Sequence, residues 1–155
     1  MRRMVIAGLL LAVAAMLIIL VIISPGKPGS CPGSESGRSI CEKRFVQIGG
    51  VRQGMFIRGS DTLNPVLLFV HGGPSFSEYF LVEKFFTGIE DHFTVCYWDQ
   101  RGGGLSVSPE VTRESLNLGQ LGSDLIEVTN YLRERFNKQK VYLMAHSGGT
   151  AFAIR

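Results

Sequence analysis

Beyond its first segment, this sequence has almost no net charge. Of its 16 lysine and arginine residues, Arg2, Arg3 and Lys27 fall within the first 27 positions, and the 13 that remain are balanced by 13 aspartate and glutamate residues. No basic stripe is left to follow a phosphate backbone, so nucleic acid is not an expected partner. Internal repeats are absent, which excludes a solenoid or propeller. The three cysteines and three histidines are spread along the chain, and neither a metal nor a cofactor is expected. With 155 residues, 45% hydrophobic and 19% charged, disorder is excluded as well. The expectation is one domain of ordinary size plus an appendage.

The appendage is at the start. Met4 to Ile23 is an unbroken run of 20 residues without a charge, and as a helix it would span roughly 30 Å, about one hydrocarbon core. It is longer than the apolar stretch of a cleaved signal peptide and ends in Ile22-Ile23-Ser24-Pro25. An uncleaved anchor is therefore expected over residues 1–23. Arg2 and Arg3 precede the run and only Lys27 lies close behind it, an asymmetry that keeps the amino terminus cytoplasmic and puts the remainder outside. Residues 24–43 form a linker. Its stretch from Ser24 to Ser39 carries Pro25, Pro28 and Pro32 among glycines and serines, a composition that neither propagates a helix nor builds a core. In an extracytoplasmic setting Cys31 and Cys41 can pair, although spacing alone does not fix that connectivity. Cys96, inside Phe93-Thr-Val-Cys-Tyr-Trp98, is a small residue expected to be buried.

From Arg44 to the last residue, strand and helix patterns alternate. Arg44 to Ile48 and Val51 to Arg58, separated by Gly49-Gly50, predict a hairpin. Val66 to Val70 and Phe93 to Trp98 are continuous apolar runs of the kind buried on both faces of a sheet. Between them, Ser75 and Glu78 have the spacing of a capping box, and Val82, Phe85, Phe86 and Ile89 predict a helix of about four turns. Leu118, Leu121, Leu125, Val128 and Leu132 mark a second helix, with Asp124 and Glu127 on its other side. Lys140 to Ala145 is a fifth strand, and a third helix opens at Gly148. This order predicts an α/β fold of about five strands, mostly parallel, with flanking helices.

The chemistry concentrates at the end of the fifth strand. In Ala145-His146-Ser147-Gly148-Gly149-Thr150 a serine stands between a strand and a helix, with small residues two before and two after it. Neighbouring backbone crowds such an elbow, which is why small residues are needed, and the bend exposes the hydroxyl of Ser147. His71-Gly72-Gly73-Pro74 follows an earlier buried strand. The amides of Gly73 and Gly148 together would form an oxyanion hole, in which one donor is worth roughly 3–4 kcal/mol of transition-state stabilisation in a well-studied case.

Three segments, His71-Gly-Gly-Pro74, Trp98-Asp-Gln-Arg-Gly-Gly-Gly-Leu-Ser106 and Ala145-His-Ser-Gly-Gly-Thr150, resemble the α/β-hydrolases, and within them the proline iminopeptidase-like branch, over roughly Phe45 to Arg155. Ser75, Leu105 and Gly148 stand where that branch often has glycine, arginine and tryptophan. The resemblance implies the amino-terminal part of an α/β-hydrolase sheet, with Ser147 as nucleophile, Gly73 and Gly148 as oxyanion donors, and Asp99 and Arg101 pinning loops. It also implies an acid and then a histidine further along, whereas only eight residues follow Ser147. His71 is expected to anchor its loop, His146 to point away from the hydroxyl, and His92 to lie on the surface, leaving none as general base.

Two functions follow as expectations. One is a membrane-anchored serine hydrolase acting outside the cytoplasm on small amides, peptides or esters, amino-terminal proline among them, through Ser147. The other is a catalytically inactive truncated remnant or membrane-tethered interaction module. In either case Val141 to Met144 is expected to be an exposed apolar edge that invites association.

Overall fold

A computed structural model describes residue 33 and residues 37–73, 76–85 and 88–154. The expected anchor, most of the linker, Cys31, Pro74, Ser75 and Phe86 lie outside the described residues. Among the described residues no helix is long and apolar enough to cross a membrane. Cys41 is disulfide-bonded, to a partner outside the described residues, and Cys96 is free.

The hairpin forms as the glycine pair predicts and is longer than expected. Strands β1 (Ile40–Ile48) and β2 (Val51–Gly59) pair antiparallel through Ile48 and Val51. Gly49 and Gly50 both take positive φ, 54° and 78°, the backbone a two-residue turn needs to match strand twist. Residues 40–43, assigned to the linker by composition, are part of β1.

Strands β3 (Val66–Val70), β4 (Thr94–Trp98) and β5 (Val141–Ala145) complete a single sheet in the order β1-β2-β4-β3-β5. β3 runs parallel to both β4 and β5, but β2 lies antiparallel to β4. The sheet is thus mixed, with two antiparallel and two parallel pairings, and corrects the expected mostly parallel arrangement. The reason is the hairpin: its second strand, not an independent parallel one, packs against β4.

Side chains alternate between two cores, as the period of two in a strand requires. Met55, Ile57, Leu68, Val70, Cys96 and Trp98 face one way and meet Leu125, Val128 and Leu132 of a long helix. Phe56, Leu67, Phe69, Val95 and Tyr97 face the other and meet Tyr79 and Leu105. Each fully buried aliphatic or aromatic side chain contributes about 1.5–3 kcal/mol through removal from water. All ten residues of β3 and β4 are buried, so these two strands carry the fold.

The helix expected after the glycine loop is shorter than its periodicity suggested. It is split into α1 (Tyr79–Phe85) and α2 (Ile89–His92), with Gly88 at φ 100° at the start of the second piece. A left-handed glycine ends helical hydrogen bonding, and Phe85, one of the four periodic positions, is exposed. Helix α3 (Leu118–Arg135) has Asn117 as its N-cap, the side chain accepting from Gln120 N–H. Leu125, Val128 and Leu132 are buried as expected, but so is Asp124. The sequence put Asp124 on the solvent face; it instead receives the guanidinium of Arg101 inside the fold.

Among the described residues β5 pairs with β3 alone, and Tyr142, Leu143 and Met144 are exposed. That is the apolar edge expected from the sequence. Beside it, Leu125, Ile126, Leu143 and Phe152 border a shallow groove of about 460 Å³.

Candidate active site

The turn after β5 carries strain where the sequence predicts it. Ser147 has a φ of 47°, one of two non-glycine residues with positive φ among the described residues. A left-handed conformation costs an L-residue roughly 1–2 kcal/mol. It persists here because both sides are held: His146 N–H donates to the Val70 carbonyl at 3.0 Å, and Gly149 N–H to the His146 carbonyl at 2.9 Å. The chain then passes through a 3-10 turn (Ser147–Gly149) into the short helix α4 (Thr150–Ala153), with the Thr150 hydroxyl donating to the Ser147 carbonyl at 2.6 Å.

The demand for small residues is met most strictly at Gly149. A Cβ there would lie 2.6 Å from the His71 carbonyl oxygen and 2.7 Å from that of Val70, both backbone atoms that cannot swing away. Gly149→Ala is therefore expected to displace the elbow and destabilise the fold by about 1–3 kcal/mol, read as a lowered urea midpoint with an unchanged slope.

The loop after β3 reaches the same place. A Cβ added to Gly72 would come within 2.8 Å of the Ser147 Cβ, and one added to Gly148 would lie 3.3 Å from Gly73 N. Among the described residues neither the Gly73 nor the Gly148 amide has a hydrogen-bond acceptor. Ser147, Gly73 and Gly148, singled out separately in the sequence, border one cleft of about 480 Å³ with Gln100, Leu118 and Leu121. Two unengaged amides beside an exposed hydroxyl can receive a developing oxyanion.

His71 anchors the loop, as expected. It is buried, its Nδ1 donates to the Gly72 carbonyl (2.9 Å) and its Nε2 accepts from Gln100 N–H (3.0 Å). That pair of bonds assigns the neutral tautomer with the proton on Nδ1 and leaves no nitrogen for proton transfer. Gln100 returns a second bond, its side-chain Nε2 donating to the His71 carbonyl at 2.6 Å. Its importance was missed in the sequence. Its place in the loop directly after β4 was the available signal. His92 is exposed at the end of α2, and the exposed His146 is paired with Glu78.

Asp99 and Arg101 pin loops. The Asp99 carboxylate accepts from Leu105 N–H at 2.7 Å and its backbone carbonyl accepts from the Ser106 hydroxyl. Burial lifts the Asp99 carboxyl above its ordinary value of 3.8, against the opposing pull of Leu105 N–H. A carboxyl raised in the folded state holds its proton longer there. Its contribution to stability is present below 3.8 and lost as pH rises through the folded-state value. Wild type should therefore lose stability relative to Asp99→Asn as pH is raised across that window, in paired urea titrations.

Comparison with known proteins identifies the family of the fold. Residues 65–155 match the family described as the alpha/beta hydrolase fold, and the chain belongs to that family. It is 39% identical over 117 residues to the probable aminopeptidase YbaC of Bacillus subtilis and 29% identical over 117 residues to a proline iminopeptidase of Thermoplasma volcanium. These alignments cover 76% and 75% of this chain, which spans 37% of the length of each relative. A crystal structure of a proline iminopeptidase-related protein from Thermus thermophilus superposes with a TM-score of 0.61 at 28% identity, over 74% of this chain and 39% of that one. The chain is thus an α/β-hydrolase family member that resembles proline iminopeptidase-like proteins over 37–39% of their length.

Proposed function

We propose that the protein is a serine hydrolase that cleaves amides, peptides or esters at Ser147, with the Gly73 and Gly148 amides holding the oxyanion. One observation carries the reading: an exposed serine in a left-handed conformation at a strand end, sharing a cleft with two unengaged amides. The names of the relatives, aminopeptidase and proline iminopeptidase, favour peptides with a free amino terminus as the substrate class. This reading takes none of the three histidines as the base and assigns acid and base to other residues. The apolar run Met4 to Ile23 supports a membrane anchor with a cytoplasmic amino terminus and the hydrolase domain outside. The exposed edge of β5 supports association through that edge.

The test is covalent labelling of the full chain by a fluorophosphonate probe. Labelling of wild type and none of Ser147→Ala supports the hydrolase. No serine-dependent labelling would reject it and favour a membrane-tethered interaction module. Protease accessibility of the domain in sealed membrane vesicles checks the orientation.

A further inference from the structure

Among the described residues, Glu78 is a charged side chain that touches both loops of the site. It precedes α1, and its expected role was the capping box with Ser75. Ser75 lies outside the described residues, and what the structure shows of the Glu78 carboxylate is that Oε1 accepts from Gly72 N–H at 3.3 Å and lies 2.8 Å from His146 Nδ1. Gly72 adjoins Gly73, and His146 adjoins Ser147. A single oxygen therefore ties the loop that carries one oxyanion amide to the elbow that carries the nucleophile and the other amide.

The surroundings make this tie specific. The Glu78 side chain is only 11% exposed, so solvent does not readily replace it. A Cβ added at Gly72 would lie 3.3 Å from Glu78 Oε1 and 2.8 Å from Ser147 Cβ. Carboxylate, loop and elbow therefore converge within a few ångströms. By occupying the Gly72 amide, Glu78 also determines which amides of the loop face the cleft.

We infer that Glu78 is a positioning residue for the oxyanion hole, setting the separation of the Gly73 and Gly148 amides by bridging Gly72 N–H and the His146 ring. The inference rests on the hydrolase reading above. Its physical basis is that a misplacement of about 1 Å in a preorganised site can cost up to roughly 100-fold in rate.

Two variants of the full chain separate the bridge from mere packing. Glu78→Met keeps side-chain length and removes both oxygens. Glu78→Gln keeps an acceptor at Oε1 without the charge. The expected result is a fluorophosphonate labelling rate at least about tenfold lower in Glu78→Met and within about threefold of wild type in Glu78→Gln. Amide-proton exchange at Gly72 should be faster in Glu78→Met alone, with thermal midpoints within a few degrees of one another. With a turnover substrate, kcat should carry the loss and KM should not. Labelling of Glu78→Met at the wild-type rate, or of Glu78→Gln as slowly as Glu78→Met, would overturn the bridge while leaving the hydrolase reading intact. A wild-type chain that does not label at Ser147 would remove both.

Discussion

Ser147→Ala is expected to lower hydrolysis by roughly 10⁴-fold or more while leaving the unfolding free energy nearly unchanged. Loss of the serine nucleophile has cost about 10⁶-fold in one well-studied serine protease, and the residual rate there came from the oxyanion hole and binding. Stability should follow a different rule, because the strain at position 147 belongs to the backbone. Serine and alanine both carry a Cβ, and both are disfavoured at a φ of 47°. Ser147→Gly is the informative companion. It relieves about 1–2 kcal/mol of left-handed strain and loses about 0.5–1 kcal/mol through the greater freedom of an unfolded glycine. Relief wins, and the glycine variant should be inactive yet about 0.5–1 kcal/mol more stable than wild type. Such a pair of results would identify the strain as kept for the exposed hydroxyl. A glycine variant less stable than alanine would mean that the elbow is held for another reason.

Local features of this fold were legible in the sequence. The hairpin follows from Gly49-Gly50, β3 and β4 from continuous apolar runs, and the elbow from small residues bracketing Ser147, because each depends on neighbours within a few positions. Features set by distant neighbours were not. Asp124 sits at a helical position that reads as solvent-facing, and Arg101, 23 residues away in a loop, supplies the opposite charge that makes its burial tolerable. Glu78 has the spacing of a capping residue and spends its carboxylate on Gly72 and on His146, 68 positions further on. The antiparallel seat of β2 beside β4 joins segments about 40 residues apart. Periodicity describes a segment's own faces and says nothing of which strand becomes its neighbour. The broken helix after the glycine loop is the intermediate case: Gly88 was visible, but its left-handed conformation was not.

Removing one member of the Arg101–Asp124 pair should cost about 3–5 kcal/mol, a large share of the roughly 5–15 kcal/mol that holds a domain together. The pair is bidentate, Nε to Oδ2 at 2.8 Å and Nη2 to Oδ1 at 2.9 Å, and the two side chains are 3% and 0% exposed. Asp124 also accepts from Gln53 and Gln120, each at 2.8 Å, while Arg101 Nη2 reaches the Gly49 carbonyl at 2.8 Å. Arg101→Met would leave a buried carboxylate with only amide donors, and Asp124→Leu a buried guanidinium with one carbonyl. The double variant removes both charges and fills their space with apolar atoms, so it should recover most of the loss. Chemical unfolding of the two single variants and the double variant gives the coupling directly. Activity should not recover in parallel. Arg101 follows Gln100, whose two bonds hold His71 and through it the loop of Gly73. An apolar pair restores packing but no longer ties that loop to α3 and the hairpin turn. A double variant with near wild-type stability and a several-fold lower kcat would separate the two roles of the ion pair, whereas full recovery of both would reduce it to packing alone.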